Sequence, residues 1–422
     1  MLYLTATGRN DWASQIAGSP SKSFFYPSVG LSWVPSSTWD LGNAFSYLKL
    51  RGSIASVGLP FPRFLTTPTY EYDATGKIWK DKTHYPIGDL KPERTITYEV
   101  GIDARLWKNI SLSASWYSAD TKNQTFDPAL PPSSSYTTIY LQTGHVRNTG
   151  VELSLGYSNQ WRDFGWSSNF TFSWNKNEII DLASGALNPV TGQPLNLSEL
   201  DIKGLGKAKY ILKQGGTLGD LYTTSDLKFN DNGYVEVDKA GNLLLTDEGD
   251  QIYLGSVFPS ENLAWRNDFR YKGINLGLLF TGRIGGICYS ATQANMDLYG
   301  VSEVSAAARD AGGVLINGRE MVDAQKWYQA IGSQSGLPQY YTYSATNFRL
   351  QELSLGYTLP RKWFRNKMGL TVSFVGRNLW MIYCKAPFDP EAVASTGLSY
   401  QGIDYFMMPS LRSLGFNVKF EF

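Results

Sequence analysis

Apolar and polar residues alternate with a period of two along most of this chain. In residues 151–158, Val, Leu, Leu and Tyr alternate with Glu, Ser, Gly and Ser, and residues 110–116 and 166–174 follow the same pattern. A period of two places the two sets of side chains on opposite faces of a β-strand. The apolar set is too regular for a helix, and the polar set excludes strands that are buried on both faces. The chain therefore predicts an all-β fold.

About twelve segments of this kind can be recognised. In residues 347–359 the apolar phase slips by one residue, and a β-bulge near Gln351 and Glu352 would absorb the slip. The predicted strands lie roughly at 1–9, 26–34, 47–57, 94–107, 110–118, 146–158, 166–175, 262–271, 274–283, 347–359, 369–379 and 411–422.

From residue 94 onward, the connections between these strands alternate between short and long. Outer-membrane barrels have short periplasmic turns and long extracellular loops, whereas a soluble sandwich has no reason to sort its loops by length. The alternation favours an antiparallel transmembrane β-barrel whose last strand ends at the periplasm. The predicted long loops are 119–145, 176–261, 284–346 and 380–410.

Composition agrees with a membrane protein. Charged residues make up 18% of the chain and aromatic residues 14%, and the charged fraction of soluble domains is usually about 25%. No run of about 18 apolar residues occurs, which excludes a transmembrane helix and leaves the barrel as the membrane option. The net charge of +1 excludes a large basic surface for nucleic acid.

Aromatic residues near strand ends fit interfacial girdles, although each alone is equally compatible with a sandwich core: Trp107, Trp116, Tyr157, Trp166, Trp174, Trp265, Tyr271 and Tyr357.

Few residues are available for catalysis or metal binding. Two cysteines, Cys288 and Cys384, and two histidines provide neither a disulfide scaffold nor a structural zinc site. Residues 228–239 fail as a calcium loop because lysines occupy its first and last positions. Asp389 and Glu391 do not by themselves define a glycosidase pair, and no nucleophile or P-loop motif occurs. We expect no enzymatic activity and no cofactor. For Cys288 and Cys384, a disulfide between them and two free thiols are both compatible with the sequence.

Several segments resemble, in order along the chain, the SusC/RagA-like branch of TonB-dependent outer-membrane transporters from Bacteroidetes-type bacteria. Tyr26–Trp33 is similar to the family's YPSVSAGW strand, and Asn148–Leu153 to its NKGVEL segment. Each match is weak alone, but their number and order make the resemblance strong. The other matching segments are Tyr47–Ser53, Leu90–Thr95, Glu99–Asp103, Asn347–Leu350, Ser354–Pro360, Gly376–Leu379 and Phe388–Glu391.

The resemblance implies an importer of oligosaccharides or oligopeptides, covered by a SusD-like surface lipoprotein and driven by TonB–ExbB–ExbD through a plug. Nothing in residues 1–422 resembles the family's plug or TonB box, and residues 1–7 look like a strand rather than an export signal. About twelve strands are also fewer than the roughly 22 of plugged transporters. We therefore expect the C-terminal part of a barrel in the cell outer membrane, surrounded by outer-membrane lipid.

The resemblance also implies a barrel-assembly signal in the last strand, with Phe416, Val418, Phe420 and Phe422 on one face. Aromatic side chains in the long loops are candidate contacts for a ligand or the lipoprotein, because aromatic faces beside hydrogen-bond donors hold sugars and peptides. Packing between loops is the alternative. These candidates are Tyr136, Tyr140, Trp327, Tyr328, Tyr340, Tyr341 and Tyr343.

Two other classes stay open from the sequence. A passive porin or adhesin-type barrel would lack a plug and a TonB box in the native gene. A secreted, soluble β-rich glycan-binding protein would stay monomeric without detergent.

Overall fold

One large antiparallel sheet forms the body of the molecule, and its 12 strands pair in chain order. The computed structural model describes residues 1–16, 18–63, 65–66, 70–81, 84–85, 90–126, 138–182, 193, 197–247, 249, 251–397 and 400–422. The strands are β1 (Leu2–Asp11), β2 (Phe24–Trp33), β3 (Phe45–Leu59), β4 (Glu93–Leu106), β5 (Ile110–Phe126), β6 (Leu141–Trp161), β7 (Phe164–Asp181), β8 (Glu261–Tyr271), β9 (Ile274–Ile284), β10 (Asn347–Leu359), β11 (Gly369–Cys384) and β12 (Ser413–Glu421).

These strands confirm the predicted fold class, but several extend farther than their apolar pattern. Strand β5 reaches Phe126 rather than residue 118, and β6 begins at Leu141 rather than residue 146. The alternation is lost in these strand ends because polar residues occupy the face that is apolar in the rest of the strand. The opposed residues Asp120 and Arg147 are an example. The sequence pattern therefore marks only the part of each strand whose outer face is apolar.

A β-bulge in β10 lies at Gln351, within the predicted position. On β9, Leu350 pairs with Phe280 and Glu352 with Leu279, so that Gln351 has no opposite residue. The register with β11 skips the same residue. The bulge brings the apolar residues before and after the phase slip to one face of the sheet.

The short connections lie together at one end of the sheet, which we call the short-turn end. One of the two shortest is Lys272-Gly273, where both residues have positive φ, 46° and 89°. Two positive φ values are typical of a type I′ turn, whose twist matches that of the flanking strands. A Cβ at Gly273 would also lie 2.7 Å from the Thr358 carbonyl oxygen. The connections at this end are 34–44, 107–109, 162–163, 272–273 and 360–368.

The register separates an apolar face from a polar face. Val151 lies opposite Trp116 and Trp174, whereas its neighbour Glu152 lies opposite two serines. Aromatic residues of the apolar face are exposed to the surroundings rather than enclosed in a core, which favours interfacial girdles over a sandwich interior. The exposed aromatic residues of the predicted girdles are Trp107, Trp116, Trp265, Tyr271 and Tyr357.

Strands β1 and β12 are the two edges of the sheet. Among the residues that the structure describes, neither edge pairs with a further strand, and the sheet does not close on itself. Each edge presents a row of unpaired backbone groups, the type of surface that recruits another strand.

The described parts of the longest connections fold into a compact layer at the other end of the sheet, and we call this layer the cap. It contains a four-stranded sheet of Glu199–Leu205, Ala208–Lys213, Asp220–Thr223 and Ile252–Ser256, and a three-stranded sheet of Ile287–Ser290, Thr342–Ser344 and Ile403–Asp404. Its helices are α1 (Ala291–Leu298), α2 (Glu303–Asp310) and α3 (Ala324–Ile331).

Smaller elements complete the described chain. No helix among the described residues has the length and apolarity needed to cross a membrane. Short strand pairs join Val314–Ile316 to Glu320–Val322, Tyr70–Asp73 to Ile78–Asp81, and His84–Tyr85 to Thr138–Ile139, and 3-10 helices span Ser14–Ile16, Pro35–Ser37, Pro338–Tyr341 and Arg361–Phe364.

The cap has an apolar core of its own. Leu212, Leu221 and Tyr289 are fully buried in one cluster that continues into the upper strands through Val146 and Ile179. The shared cluster seats the cap firmly on the barrel strands. The fold therefore holds these long connections in one defined arrangement.

We expect Leu212→Ala to loosen the cap and leave the barrel strands in place. Truncation of a buried leucine costs about 2–5 kcal/mol, and Leu212 is 0% exposed. Limited trypsin digestion of intact cells should then cleave within residues 197–258 at least several-fold faster than in the wild type, at unchanged outer-membrane abundance.

The matched control is Leu315→Ala, because this cap leucine is 59% exposed. Its digestion rate should equal that of the wild type. Equal rates for both variants would contradict the cap core described above.

Candidate functional site

Charged side chains on the polar face of the sheet form two paired clusters. In the first, Arg51 forms ion pairs with Glu99 and with Asp103, the latter at 3.6 Å between Nε and Oδ2. Lys49 lies 3.9 Å from the same Asp103 carboxylate, and the Ser113 hydroxyl donates to it at 2.7 Å. These contacts cross from β3 through β4 to β5 and fix the charges in place.

The second cluster lies farther along the same face. Arg266 contacts Asp268 at 2.9 Å and Glu352 at 3.5 Å, and Arg377 contacts Glu352 at 3.1 Å. A recess of about 360 Å³ lies between the two clusters. Its wall suits contact with hydrated polar groups, since its side chains include Ser113, Ser115, Glu152, Ser154, Thr171, Ser173 and Asn262.

At the cap end of the polar face, Arg349 binds the connection between β11 and β12. Its guanidinium forms two bonds to Asp389, at 3.1 and 2.9 Å, and lies 3.2 Å from the Glu391 carboxylate. The Arg349 and Asp389 side chains are only 5% and 10% exposed. A bidentate pair of this kind fixes geometry as well as charge, so it holds residues 385–412 against the barrel strands. We call this contact the Arg349 latch.

The ionisation of Asp389 is coupled to the latch. Burial raises the pKa of this carboxyl, but hydrogen bonds from Arg349, Ser410 and the Glu391 backbone N–H outweigh the burial and leave the pKa below its ordinary value. Asp389 is therefore charged, and paired with Arg349, at neutral pH.

The same connection is also attached to the cap. Ile403–Asp404 pairs in parallel with Tyr289 and Ser290, and the Ser290 hydroxyl donates to the Asp404 carboxylate at 2.6 Å. The Tyr210 hydroxyl donates to the Gln401 carbonyl. Residues 385–412 thus join the barrel wall to the cap.

Sequence reasoning missed Arg349. A single arginine adds no periodic signal to a strand, and Asp389 and Glu391 look like ordinary loop carboxylates until the fold brings them to it. Both Asn347–Leu350, which contains Arg349, and Phe388–Glu391 lie within the family resemblance, but neither segment indicates that the other is its partner.

The aromatic candidates of residues 327–341 occupy two kinds of environment. Tyr328 and Tyr341 are buried in the cap core, where they pack between loops. Trp327 and Tyr340 pack edge to face at 6.0 Å between ring centroids, and Tyr340 is 37% exposed. Of these four residues, only Tyr340 is exposed, and Trp327 is half-buried beside it.

The remaining aromatic candidates lie elsewhere. Tyr343 is half-buried and meets Phe388 edge to face at 5.8 Å. Tyr140 is half-buried and packs against a small apolar cluster that includes Phe61 and Leu90. Tyr136 lies outside the described residues.

Both cysteines are free thiols in the structure and lie in one small apolar cluster with Ala345 and Ala386. Cys288 is buried, and burial, followed by the neighbouring Cys384, raises its thiol pKa to about 12. The Cys288 thiol is therefore protonated at neutral pH and is a poor nucleophile.

The last strand places its apolar side chains as the sequence predicts. Phe416 lies opposite Phe374, Val418 opposite Val372, and Phe420 opposite Leu370. All three residues and Phe422 are exposed at the edge of the sheet.

A one-sided apolar sheet with short turns at one end, large folded loops at the other and a charged inner face defines an outer-membrane β-barrel protein. The family model described as TonB dependent receptor-like, beta-barrel matches residues 1–249. The chain therefore belongs to the TonB-dependent receptor β-barrel family, whose members are receptors rather than enzymes.

Its relatives are of the SusC/RagA type. The chain is 25% identical to TonB-dependent receptor P3 of Formosa agariphila over 99% of its own length and 44% of that receptor. It is 20% identical to TonB-dependent receptor SusC of Bacteroides thetaiotaomicron over 79% of its own length and 32% of that receptor. The chain thus spans less than half the length of the curated relatives it matches.

A solved structure shows the same fold. The RagAB peptide importer in its closed-closed state matches with a TM-score of 0.73 at 21% identity, over 99% of this chain and 45% of that one. The predicted family and outer-membrane location are confirmed.

We expect Asp389→Asn to release residues 385–412. Removal of one partner from a buried ion pair costs about 3–5 kcal/mol, because the other charge stays buried without full compensation. Limited proteolysis of the protein in outer membranes should cleave this connection faster than in the wild type. The matched control is Asp201→Asn, which breaks an exposed 3.0 Å pair with Lys209 in the cap and should change little.

The latch also predicts a pH dependence. A carboxyl whose pKa is lowered by folding stabilises the fold above its unfolded pKa, about 3.9, and loses that contribution as the pH falls through the folded value. Wild-type protection of residues 385–412 should persist at pH 5 and decline only below about pH 4. Release at pH 5–6 would rule out Asp389 as the titrating group.

We propose that Phe422 is part of the signal that the barrel-assembly machinery reads. Deleting Phe422, or replacing it by Asp, should block outer-membrane assembly, because both changes remove an aromatic side chain that is 96% exposed at the sheet edge. The measurement is the abundance of the protein in the outer-membrane fraction. A Phe422→Tyr control should assemble normally, and unchanged abundance of the deletion would refute this role.

Proposed function

We propose that this chain is the C-terminal barrel part of a receptor that imports oligosaccharides or oligopeptides across the outer membrane. The match to the RagAB peptide importer over 99% of the chain, at a TM-score of 0.73, is the observation that carries the proposal. A SusD-like surface lipoprotein covers the cap, and TonB–ExbB–ExbD supplies energy through a plug.

The polar face supports this proposal. A lumen wall with fixed charge pairs at Arg51 and Arg266, and a hydroxyl-lined recess between them, offers many hydrogen-bonding groups to a polar solute or to a plug. An apolar lumen would exclude both, because unpaired polar groups are costly to desolvate. The two open edges, β1 and β12, are completed by further strands of the full-length receptor.

The cap supports a lid partner. Its shared core with the barrel strands makes it a preorganised surface, and preorganisation lowers the entropic cost of docking. Aromatic residues dominate the binding energy of many protein interfaces and sugar sites. Trp327 and Tyr340 are the pair that we assign to contact with the lipoprotein or the incoming ligand.

The test is uptake by cells whose only copy of the full-length gene carries Trp327→Ala and Tyr340→Ala. Growth on limiting oligopeptide or oligosaccharide, whichever nutrient the wild type takes up through this receptor, should slow measurably. Loss of each aromatic hot spot costs more than about 1 kcal/mol, so the two losses together weaken binding by more than about tenfold. The matched control, Tyr299→Ala, removes an exposed cap tyrosine and should grow as the wild type does.

Three outcomes would overturn parts of this proposal. Wild-type uptake by the double variant at normal abundance would remove the contact role of Trp327 and Tyr340. Uptake that persists without TonB would favour a passive porin. Growth of a gene deletion on both nutrient classes at the wild-type rate would remove import itself.

A further inference from the structure

Two cations face each other across β4 and β5. Arg94 lies directly opposite Lys122 in an uninterrupted register, and both are exposed. Like charges in directly opposed positions of a sheet are destabilising. Among the described residues neither has an ion-pair partner, and the one side-chain hydrogen bond of the pair runs over 2.9 Å from Arg94 Nε to the Ser56 hydroxyl. A bound anion would relieve the repulsion between these two cations.

Neighbouring charges on the same face are already compensated. Asp120, two residues from Lys122, accepts hydrogen bonds from Arg147 at 2.9 Å and His145 at 2.7 Å. On β7, Lys176 pairs with Glu178 at 2.8 Å. Unlike these charges, Arg94 and Lys122 have no ion-pair partner among the residues that the structure describes.

The pair lies on the lipid-facing side of the sheet, just above the apolar band. Register places Arg94 on the same face as Tyr98 and Val100, which are exposed. The last apolar residue of this face on β4 is Ile96, and Arg94 lies two residues beyond it toward the cap end. At about 3.3 Å per residue and a strand tilt of about 40°, Arg94 stands about 5 Å above the apolar face, where a lipid head group would begin.

A recess of about 260 Å³ opens beside Arg94. The residues lining it include Ser21, Ser23, Ser56 and Lys91, together with Glu93, whose carboxylate accepts a hydrogen bond from the Thr125 backbone N–H at 2.8 Å. A third cation and several hydroxyls beside the Arg94–Lys122 pair suit a phosphorylated sugar, since phosphate takes charge-assisted bonds and sugar hydroxyls exchange bonds with serine.

We propose that Arg94, Lys122 and this recess bind the phosphorylated sugar head group of an outer-leaflet glycolipid. Binding neutralises the opposed cations and anchors the outer wall at β4 and β5 in the leaflet. The site is separate from the import path on the polar face, and it depends only on the outer-membrane location of the chain.

The test uses the full-length receptor that contains this chain, purified in detergent and inserted into phosphatidylcholine nanodiscs. Diphosphorylated lipid A is the probe, and its affinity is measured by native mass spectrometry and by a fluorescent lipid A titration. The double variant Arg94→Gln and Lys122→Gln should bind at least tenfold more weakly. The charge-preserving variant Arg94→Lys should stay within about threefold of the wild type, since a second ammonium still pairs with phosphate as a point charge.

The matched control is Lys176→Gln, which removes a cation of the same face that already has a partner. Its lipid A affinity should change less than twofold. Folding of all variants is checked by heat-modifiable migration on gels, so that a loss of binding by unfolded protein is not counted.

Three results would overturn the proposal. Equal affinity of the double variant and the wild type would remove the residues from the site. Equal affinity for dephosphorylated lipid A would show that the acyl chains alone are recognised. Displacement of lipid A by inorganic phosphate at low millimolar concentration would assign the site to a small soluble anion. None of these results bears on import, whose test is growth.

Discussion

Backbone groups that cross the hydrocarbon layer must find their hydrogen bonds within the protein, and the rest of this structure depends on that constraint. The ladder from β1 to β12 satisfies it for every strand that has two neighbours. The constraint also fixes the register, because a slip of one residue would turn each apolar side chain toward the lumen. At the Gln351 bulge the alternation of apolar and polar residues shifts by one position, and the hydrogen bonding between β10 and its two neighbouring strands continues on both sides of the bulge.

The loops follow a different rule. At the short-turn end the connections span 2 to 11 residues, whereas the long connections at the cap end bury a core of their own. The Arg349 latch and the parallel pairing of Ile403–Asp404 join that core to the barrel wall. The residues for which we propose contacts with the lid, the ligand or the lipid thus stand on ordered elements, which would lower the entropic cost of recognition.

Prediction from sequence succeeded where local pattern and tertiary environment agree. The twelve strands and the bulge were readable because each residue's face follows from its position in a period of two. The upper ends of β5, β6 and β7 could not be predicted, because the alternation of apolar and polar residues stops there: polar residues such as Asp120 and Arg147 occupy the outer face, and apolar residues such as Ile179 pack against the cap. The candidate site could be predicted only in part. The sequence identified the aromatic residues of the long loops, but contacts between distant loops determine that Tyr341 is buried and Tyr340 exposed.

The sequence by itself determined the strand order, the two faces of the sheet and the family, since these depend on periodicity and short motifs that neighbouring residues carry. Only the tertiary structure decided which charges are paired. Arg349 meets Asp389 across 40 residues, and the positions of Arg94 and Lys122 become opposed only through the register of β4 with β5. Ion pairing acts through space over a few ångströms, and no local pattern in the chain encodes which distant residues the fold brings that close.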